Sequence, residues 1–277
     1  DSSKFNNYRP VSVLPVFSKI IERLMYDRLL LFLNQRQLLW KYQFGFREKH
    51  STNLALILLM DKITSAIENG EYVLGIFLDF SKAFDTVNHK ILLDKLNFYG
   101  VRGIANTWFQ DYLKDRTQTV KYDNVLSHPS TITCGVPQGS ILGPLLFLLY
   151  INDLASVVPK LFAIFFADDS NLFITGKDMS SMCSTLNSSL KKVYEWLCCN
   201  KLSLNIKKTH YMIFAPKNRK LDPISIQINN EEIIKVSHTK FLGVIIDDGL
   251  NFKLHIEYIR LKISKSLGIL SRARKIL

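Results

Sequence analysis

The stretch Tyr72–Leu78 (YVLGIFL) is apolar at odd and even positions alike and runs directly into Asp79. Strand side chains alternate between faces, so a strand that is apolar on both faces belongs, buried, at the centre of a sheet. A second apolar run, Leu161–Phe166, leads into a turn at Asp168, Asp169 and Ser170, and Asn171–Ile174 returns as its partner strand. Both strand systems therefore end in carboxylates, held rigidly from behind while facing solvent.

The remaining segments alternate between helical and extended patterns, which makes the class mixed α and β. Ser51 or Thr52 caps a helix running through Leu58 to Glu68, with Gly70 ending it. Helical signals return over His89–Tyr99, stopped by Gly100, and over Ile104–Leu113. Thr117–Tyr122 and Thr131–Cys134 read as two strands joined by a polar loop. Gly135–Gly139 is a Gly/Pro-punctuated loop, and Pro144 fits the first turn of the helix that follows. Asp178 caps a helix with one apolar stripe, Met182, Leu186, Leu190, Val193 and Leu197. His210–Ala215 is extended. Ile224–Ile228 and Glu232–Val236 form a hairpin around Asn229–Asn230, and Phe241–Ile246 is a further strand. The last segment is a basic amphipathic helix with Ile256, Ile259, Ile263, Leu267 and Leu270 on one face.

Thirty-six basic against 24 acidic residues give a formal net charge of +12 over 277 residues. That excess attracts polyanions, nucleic acid first and an anionic membrane surface second. No apolar run reaches membrane-spanning length, the longest candidate, Leu145–Ile151, being ended by Asn152 and Asp153. No secretory signal is present. Cys134, Cys183, Cys198 and Cys199 lack paired CxxC spacing and read as reduced thiols of an intracellular protein, three of them semi-buried, rather than as a metal site. The chain starts at Asp1 and reads as a fragment of a longer polyprotein.

If the two strand ends are neighbours, two or three of Asp79, Asp168 and Asp169 converge. Like charges that close raise one another's pKa, a conflict that a divalent cation removes. Mg²⁺ suits such a site, taking hard oxygens, few protein ligands and substrate phosphates. Two ions roughly 4 Å apart activate a 3′-hydroxyl and stabilise a leaving pyrophosphate in in-line phosphoryl transfer. Taken alone, an Asp-Asp turn is also an ordinary solvated turn, and that reading is kept for Asp85, Asp247 and Asp248.

The order of motifs decides between these readings. The chain carries Asn7-Tyr8-Arg9-Pro10-Val11-Ser12, then Tyr42-Gln43-Phe44-Gly45-Phe46-Arg47, then Phe77-Leu78-Asp79-Phe80-Ser81-Lys82-Ala83-Phe84-Asp85. Gly135-Val136-Pro137-Gln138-Gly139-Ser140 follows, then Phe166-Ala167-Asp168-Asp169, Leu204-Asn205-Ile206-Lys207-Lys208-Thr209 and Phe241-Leu242-Gly243-Val244. This series resembles the ordered reverse transcriptase blocks of jockey-like non-LTR retrotransposons, over nearly the whole chain.

The resemblance implies an α+β right-hand polymerase fold, with an antiparallel palm sheet backed by helices, partial fingers and the start of a thumb. Fingers are expected over 1–70, palm over 71–250 with a fingers-side insertion at about 100–130, and thumb over 251–277. It implies that Asp79, Asp168 and Asp169 are catalytic and hold two Mg²⁺ ions, with Mn²⁺ able to substitute. Phe84 is the implied aromatic gate against a ribose 2′-hydroxyl, and Arg9 the contact to the incoming triphosphate, with Lys4 as a companion. Gln138 and Gly139 lie by the nascent base pair, and Lys208 by the pyrophosphate. Gln43 and Arg47 are expected at the template, and Phe241, Leu242 and Gly243 at the primer end. The partners so implied are an RNA template, a DNA primer, dNTPs and other domains of the parent polyprotein, with no membrane, and the expected site of action is the nucleus. An inactive nucleic-acid-binding fragment of a decayed element is the alternative. An RNA-templated RNA polymerase is disfavoured by Phe84, whose ring excludes ribose.

Overall fold

Local signals set most element boundaries. The structure, a computed structural model, describes residues 11–122, 125–216, 219 and 223–274. The first half forms α1 (Val16–Gln35), α2 (Thr52–Glu68), β1 (Tyr72–Leu78), a 3₁₀ turn at Ala83–Thr86, α3 (His89–Phe98), α4 (Ile104–Leu113), and the short strands β2 (Thr117–Gln118), β3 (Lys121–Tyr122), β4 (Val125–Leu126) and β5 (Ser130–Thr131). The second half forms α5 (Leu142–Ile151), α6 (Leu154–Val157), β6 (Phe162–Phe166), β7 (Asp169–Gly176), α7 (Met179–Cys199), β8 (His210–Phe214), β9 (Gln227–Ile228), β10 (Glu231–Glu232), β11 (Ile234–Lys235), β12 (His238–Phe241), β13 (Val244–Asp247) and α8 (Lys253–Ala273).

The main sheet has the order β11-β8-β1-β7-β6 and is antiparallel except for the β11–β8 pair. β1 is its central strand and is buried at every position, as its two-faced apolar pattern requires. Leu74, Ile76 and Leu78 face a cluster built from α3, α5 and α7, including Leu92, Leu96, Phe147 and the whole stripe Met182–Leu186–Leu190–Val193–Leu197. Val73 and Phe77 face a second cluster, with Ala55, Leu59, Ile63 and Ala66 of α2 and Phe241 and Ile246 of the β12–β13 hairpin. The sheet is thus covered on both sides, and the alternation along β1 assigns Asp79, the next odd position, to the second side. In α5 every residue but Pro144 is buried, the mark of a helix enclosed all round. Pro144 sits in its first turn, where a missing N–H costs least.

Ser51 caps α2 by accepting from Leu54 N–H, and Asp178 caps α7 by accepting from Ser180 and Ser181 N–H. Asn229 and Asn230, at φ 52° and 64°, make the two-residue turn between β9 and β10. Four expectations need correction. The Asp168–Ser170 turn sits one residue earlier: Phe166 pairs with Asp169, so the turn is Ala167–Asp168 and Asp169 and Ser170 are already in β7. Phe241–Ile246 is not one strand but the end of β12, a turn at Leu242–Gly243 (φ 46° and 94°), and most of β13. Between Thr117 and Thr131 the described residues form two short ladders, β2–β5 and β3–β4, whose strand residues are all exposed. Residues 132–134 do not continue β5 as a strand, and Cys134 makes an isolated bridge to Asn88 instead. Finally, Cys134, Cys198 and Cys199 are exposed and only Cys183 is partly buried. No helix of the described residues is long and apolar enough to cross a membrane.

Candidate active site

The last rung between β1 and β7 joins Leu78 to Ser170. One further step in this antiparallel register sets Asp79 opposite Asp169, where cross-strand Cα atoms lie about 5 Å apart and side chains share a face. Asp79 is fixed at both backbone groups: its N–H donates to Thr209 Oγ1 at 3.2 Å and its carbonyl accepts from Asn205 N–H at 2.8 Å. Thr209 is fully buried, so the segment before β8 clasps the end of β1. From the same segment Lys208 reaches to 4.0 Å between its Nζ and Asp79 Oδ2, with the lysine 71% and the aspartate 44% exposed. Asp168 is half-buried and Asp169 exposed.

This donor set is chemically suited to a hard divalent cation: carboxylate oxygens at the ends of neighbouring strands, open to solvent, with rigid backbone behind them. Among the described residues no three His, Cys, Asp or Glu side chains are gathered closely enough to hold a metal ion. The carboxylates share one end of the sheet without forming a closed cage, and Lys208 is paired with Asp79.

The turn carrying Asp168 is strained. Ala167 adopts φ 56°, a left-handed conformation that costs a residue with a Cβ about 1–2 kcal/mol and persists where the surroundings over-determine it. Those surroundings are residues 42–45, which run beside β6: Phe165 N–H donates to Tyr42 O at 2.9 Å and Phe44 N–H to Phe165 O at 2.8 Å. Gln43, expected at the template, is instead 2% exposed. Its Oε1 accepts from Gly45 N–H at 2.8 Å and from Ala167 N–H at 3.1 Å. A side chain enclosed in this way offers no surface to a nucleic-acid strand. Arg47 is half-buried, its Nη1 donating to Trp40 O at 2.9 Å and Gln43 O at 3.3 Å, and burial lowers its pKa.

Phe84 lies in the 3₁₀ turn beyond Asp79, its ring stacked on Phe147 of α5 at 4.2 Å and meeting the edge of Phe46 at 6.2 Å. The loop Gly135–Gln138 is laced to this turn: Val136 N–H donates to Phe84 O at 2.9 Å and Gly135 N–H to Val87 O at 2.7 Å. Gln138 Nε2 donates to Asp85 Oδ1 at 2.8 Å. Asp85, read from sequence as an ordinary turn residue, therefore orients the Gln138 amide. Gly139, at φ 109°, passes so close to the N-terminal segment that a Cβ would meet Ser12 O at 2.9 Å, and Ser12 N–H donates to Gln138 O at 2.7 Å. Arg9 and Lys4 lie outside the described residues.

Glu22 of α1 escaped the sequence reading. It is 1% exposed, and its Oε2 accepts from Ile141 N–H at 2.7 Å while its Oε1 accepts from the Tyr112 hydroxyl at 3.0 Å. Since α5 has no side-chain cap of its own, this carboxylate serves as one from a distance, at the helix end where negative charge is favoured. Burial, and then Glu22, push the Tyr112 hydroxyl well above the usual tyrosine range.

At the other end of the site, Phe241 is 3% exposed and packs on Phe77 at 6.3 Å. It anchors its hairpin from within rather than facing a primer, and leaves Leu242 and Gly243 at the tip. His210 keys the hairpin to the sheet, stacking on Phe77 at 5.3 Å with its Nε2 2.6 Å from Thr239 Oγ1.

The fold so built is that of the right-hand polymerases, a covered antiparallel palm sheet flanked by a fingers-side region and a following helix. Residues 2–246 match the family model described as reverse transcriptase (RNA-dependent DNA polymerase), and the chain belongs to that family. It is 30% identical, over 98% of its length, to the probable RNA-directed DNA polymerase from transposon X-element of Drosophila melanogaster. It is 33% identical over 91% of its length to the corresponding protein of transposon BS, and 32% over 92% to the RNA-directed DNA polymerase from mobile element jockey, both from the same species. The chain spans between 28% and 30% of the length of these relatives. Among solved structures it is similar in fold to apo telomerase from Candida tropicalis truncated from its C-terminal domain, with a TM-score of 0.54 at 14% identity, covering 83% of this chain and 44% of that one.

Proposed function

We propose that this chain extends a primer 3′-hydroxyl with deoxynucleotides on an RNA template, as the polymerase unit of a non-LTR retrotransposon. The observation that carries the reading is that the β1–β7 ladder ends with Leu78 opposite Ser170, which brings Asp79 and Asp169, the next residue on each strand, together at one end of the sheet, with Asp168 in the adjoining turn. In this reading the three carboxylates hold two Mg²⁺ ions, which when bound supply charge neutralisation for the attacking hydroxyl and the leaving pyrophosphate. The clasp of Thr209 and Asn205 on Asp79 fixes this residue by its backbone, so its carboxylate would hold a metal ion from a rigid support. Lys208, 4.0 Å from Asp79, would place its ammonium toward the phosphates.

Phe84 is braced by Phe147 from behind, and a ring that cannot retreat excludes a ribose 2′-hydroxyl by contact. Gln138, its amide oriented by Asp85, and Gly139, whose missing Cβ lets the Ser12 segment close against this loop, line the nucleotide. Arg9 contacts the triphosphate by bidentate hydrogen bonds. Arg47 serves the template side, and Leu242 and Gly243 the primer end. Copying primed at a chromosomal target places the action in the nucleus, with the other domains of a longer polyprotein as partners.

Primer extension on poly(rA)–oligo(dT) with Mg²⁺ tests the reading. Asp168→Ala and Asp169→Ala are expected to abolish extension while retaining template–primer binding. Extension surviving in both variants would remove the mechanism.

A further inference from the structure

The polymerase reading leaves unexplained why a buried glutamine should point at the turn that carries Asp168. That turn is only two residues long, and its first residue, Ala167, is held at φ 56° with a Cβ attached. What fixes the peptide before Ala167 comes from residues more than a hundred positions earlier. Gln43 Oε1 takes the Ala167 N–H at 3.1 Å and the Gly45 N–H at 2.8 Å, which uses both lone pairs of that oxygen.

The other end of the same side chain is equally constrained. Its backbone bridges Phe165 in parallel, with a hydrogen bond to that residue from each side, through Tyr42 and Phe44. Gly45 lets the two chains meet: a Cβ there would lie 2.3 Å from Ala167 N. Segment 42–45 is therefore a splint laid along β6 and closed over the turn. With its contacts all internal and 2% of its surface exposed, Gln43 touches neither template nor primer.

We infer that Gln43 is a positioning residue, which holds the Ala167 peptide so that the Asp168 and Asp169 carboxylates meet Asp79 in one arrangement. This rests on the polymerase reading above, in which those carboxylates hold metal ions. Losing the acceptor frees the turn to relax from its strained φ, and Asp168 moves with it. Groups that orient metal ligands in this way typically contribute about 10–100-fold in metal affinity or activity.

The test combines exchange and kinetics on the whole chain. In the metal-free wild type, the Ala167 amide is expected to exchange slowly, although it lies in a turn at the sheet edge. Free exchange there in wild type would overturn the inference without any variant. Gln43→Met keeps the length of the side chain and removes the acceptor. It is expected to speed Ala167 exchange at least about tenfold while the amides of β1 keep their protection. The Mg²⁺ concentration for half-maximal extension should rise about tenfold, with kcat reduced and the dNTP KM within about twofold of wild type. Gln43→Glu retains acceptor oxygens and should restore Ala167 protection. Wild-type exchange and Mg²⁺ dependence in Gln43→Met would refute the inference. Asp168→Asn, run in parallel, separates the two claims: if it remains active, the polymerase reading of the hairpin fails, whereas if it is inactive and Gln43→Met is unaltered, the positioning role alone fails.

Discussion

Replacing Glu22 by alanine should destabilise the protein through a helix that lies far from it in sequence. Ile141 N–H, now at 2.7 Å, and the Tyr112 hydroxyl, at 3.0 Å, lose their main acceptor, and Leu142 N–H loses a longer contact at 3.5 Å that adds little. An unsatisfied buried donor costs about 1–3 kcal/mol, and because Tyr112 and Ile141 are only partly buried, the lower end applies to each. Losing the negative charge at the start of α5 adds about 0.5–1 kcal/mol. Relief of the desolvated carboxylate offsets part of the total of about 3 kcal/mol, leaving about 2 kcal/mol. Over 277 residues, an unfolding entropy of about 0.6 kcal/mol/K converts this to a fall in Tm of about 3 °C. Glu22→Gln should lose much less, about 1 kcal/mol, because its carbonyl still accepts from Ile141 while the Tyr112 hydroxyl turns to accept from the new amide. Differential scanning calorimetry of both variants decides the matter. Since the loop carrying Gln138 leads directly into this helix, Glu22→Ala should also raise the dNTP KM in primer extension. An unchanged Tm in Glu22→Ala, or equal damage from glutamine and alanine, would refute the capping role.

Phe84→Ala should raise the ratio of ribonucleotide to deoxynucleotide incorporation about tenfold, equivalent to ~1.4 kcal/mol of discrimination, and unchanged sugar selectivity in single-nucleotide extension would reject the gate. The same variant gives up the stacking on Phe147, so a stability loss of about 1 kcal/mol should accompany the change. Burial pushes the Tyr99 hydroxyl up to about 12, with the Asn152 amide opposing and Asp153 reinforcing. The unfolded chain ionises this group near pH ~10, so the stabilisation is full below that value and is lost as pH rises toward 12; urea unfolding across the window should show a shallower decline in Tyr99→Phe.

Much of this fold was legible because the decisive information is local. β1 and α7 matched their expected spans closely, the first from seven consecutive apolar positions and the second from a cap and a single stripe. The β9–β10 turn announced itself through paired asparagines that tolerate positive φ. The hairpin β12–β13 was hidden inside a continuous apolar run, since Phe241 and Ile246 both face the second cluster and the only turn signal was Gly243. Helix α1 gave no comparable signal: much of its apolar surface, from Val16 to Leu24, is exposed, so its pattern does not describe one buried face.

The carboxylates themselves could be read because strand ends and turns mark them, but the residues that hold the surrounding turns and helix start in place could not. Gln43, Asp85 and Glu22 each act across a long sequence separation, on Ala167, Gln138 and Ile141, through hydrogen bonds to a backbone N–H or a side-chain amide. Such a bond asks of its partner only a donor in the right place, and every non-proline residue supplies one. The partner's identity therefore leaves no trace in composition or periodicity, and the acceptor looks like any surface polar residue until the fold closes around it. Burial is what distinguishes it: an exposed Gln or Glu exchanges its hydrogen bonds with water at little net gain, whereas one at 1% or 2% exposure, like Glu22 or Gln43, must keep its partners. In this chain the candidate metal-holding carboxylates are announced by sequence, while the backbone around them and around α5 is held by buried acceptors whose role only the tertiary structure reveals.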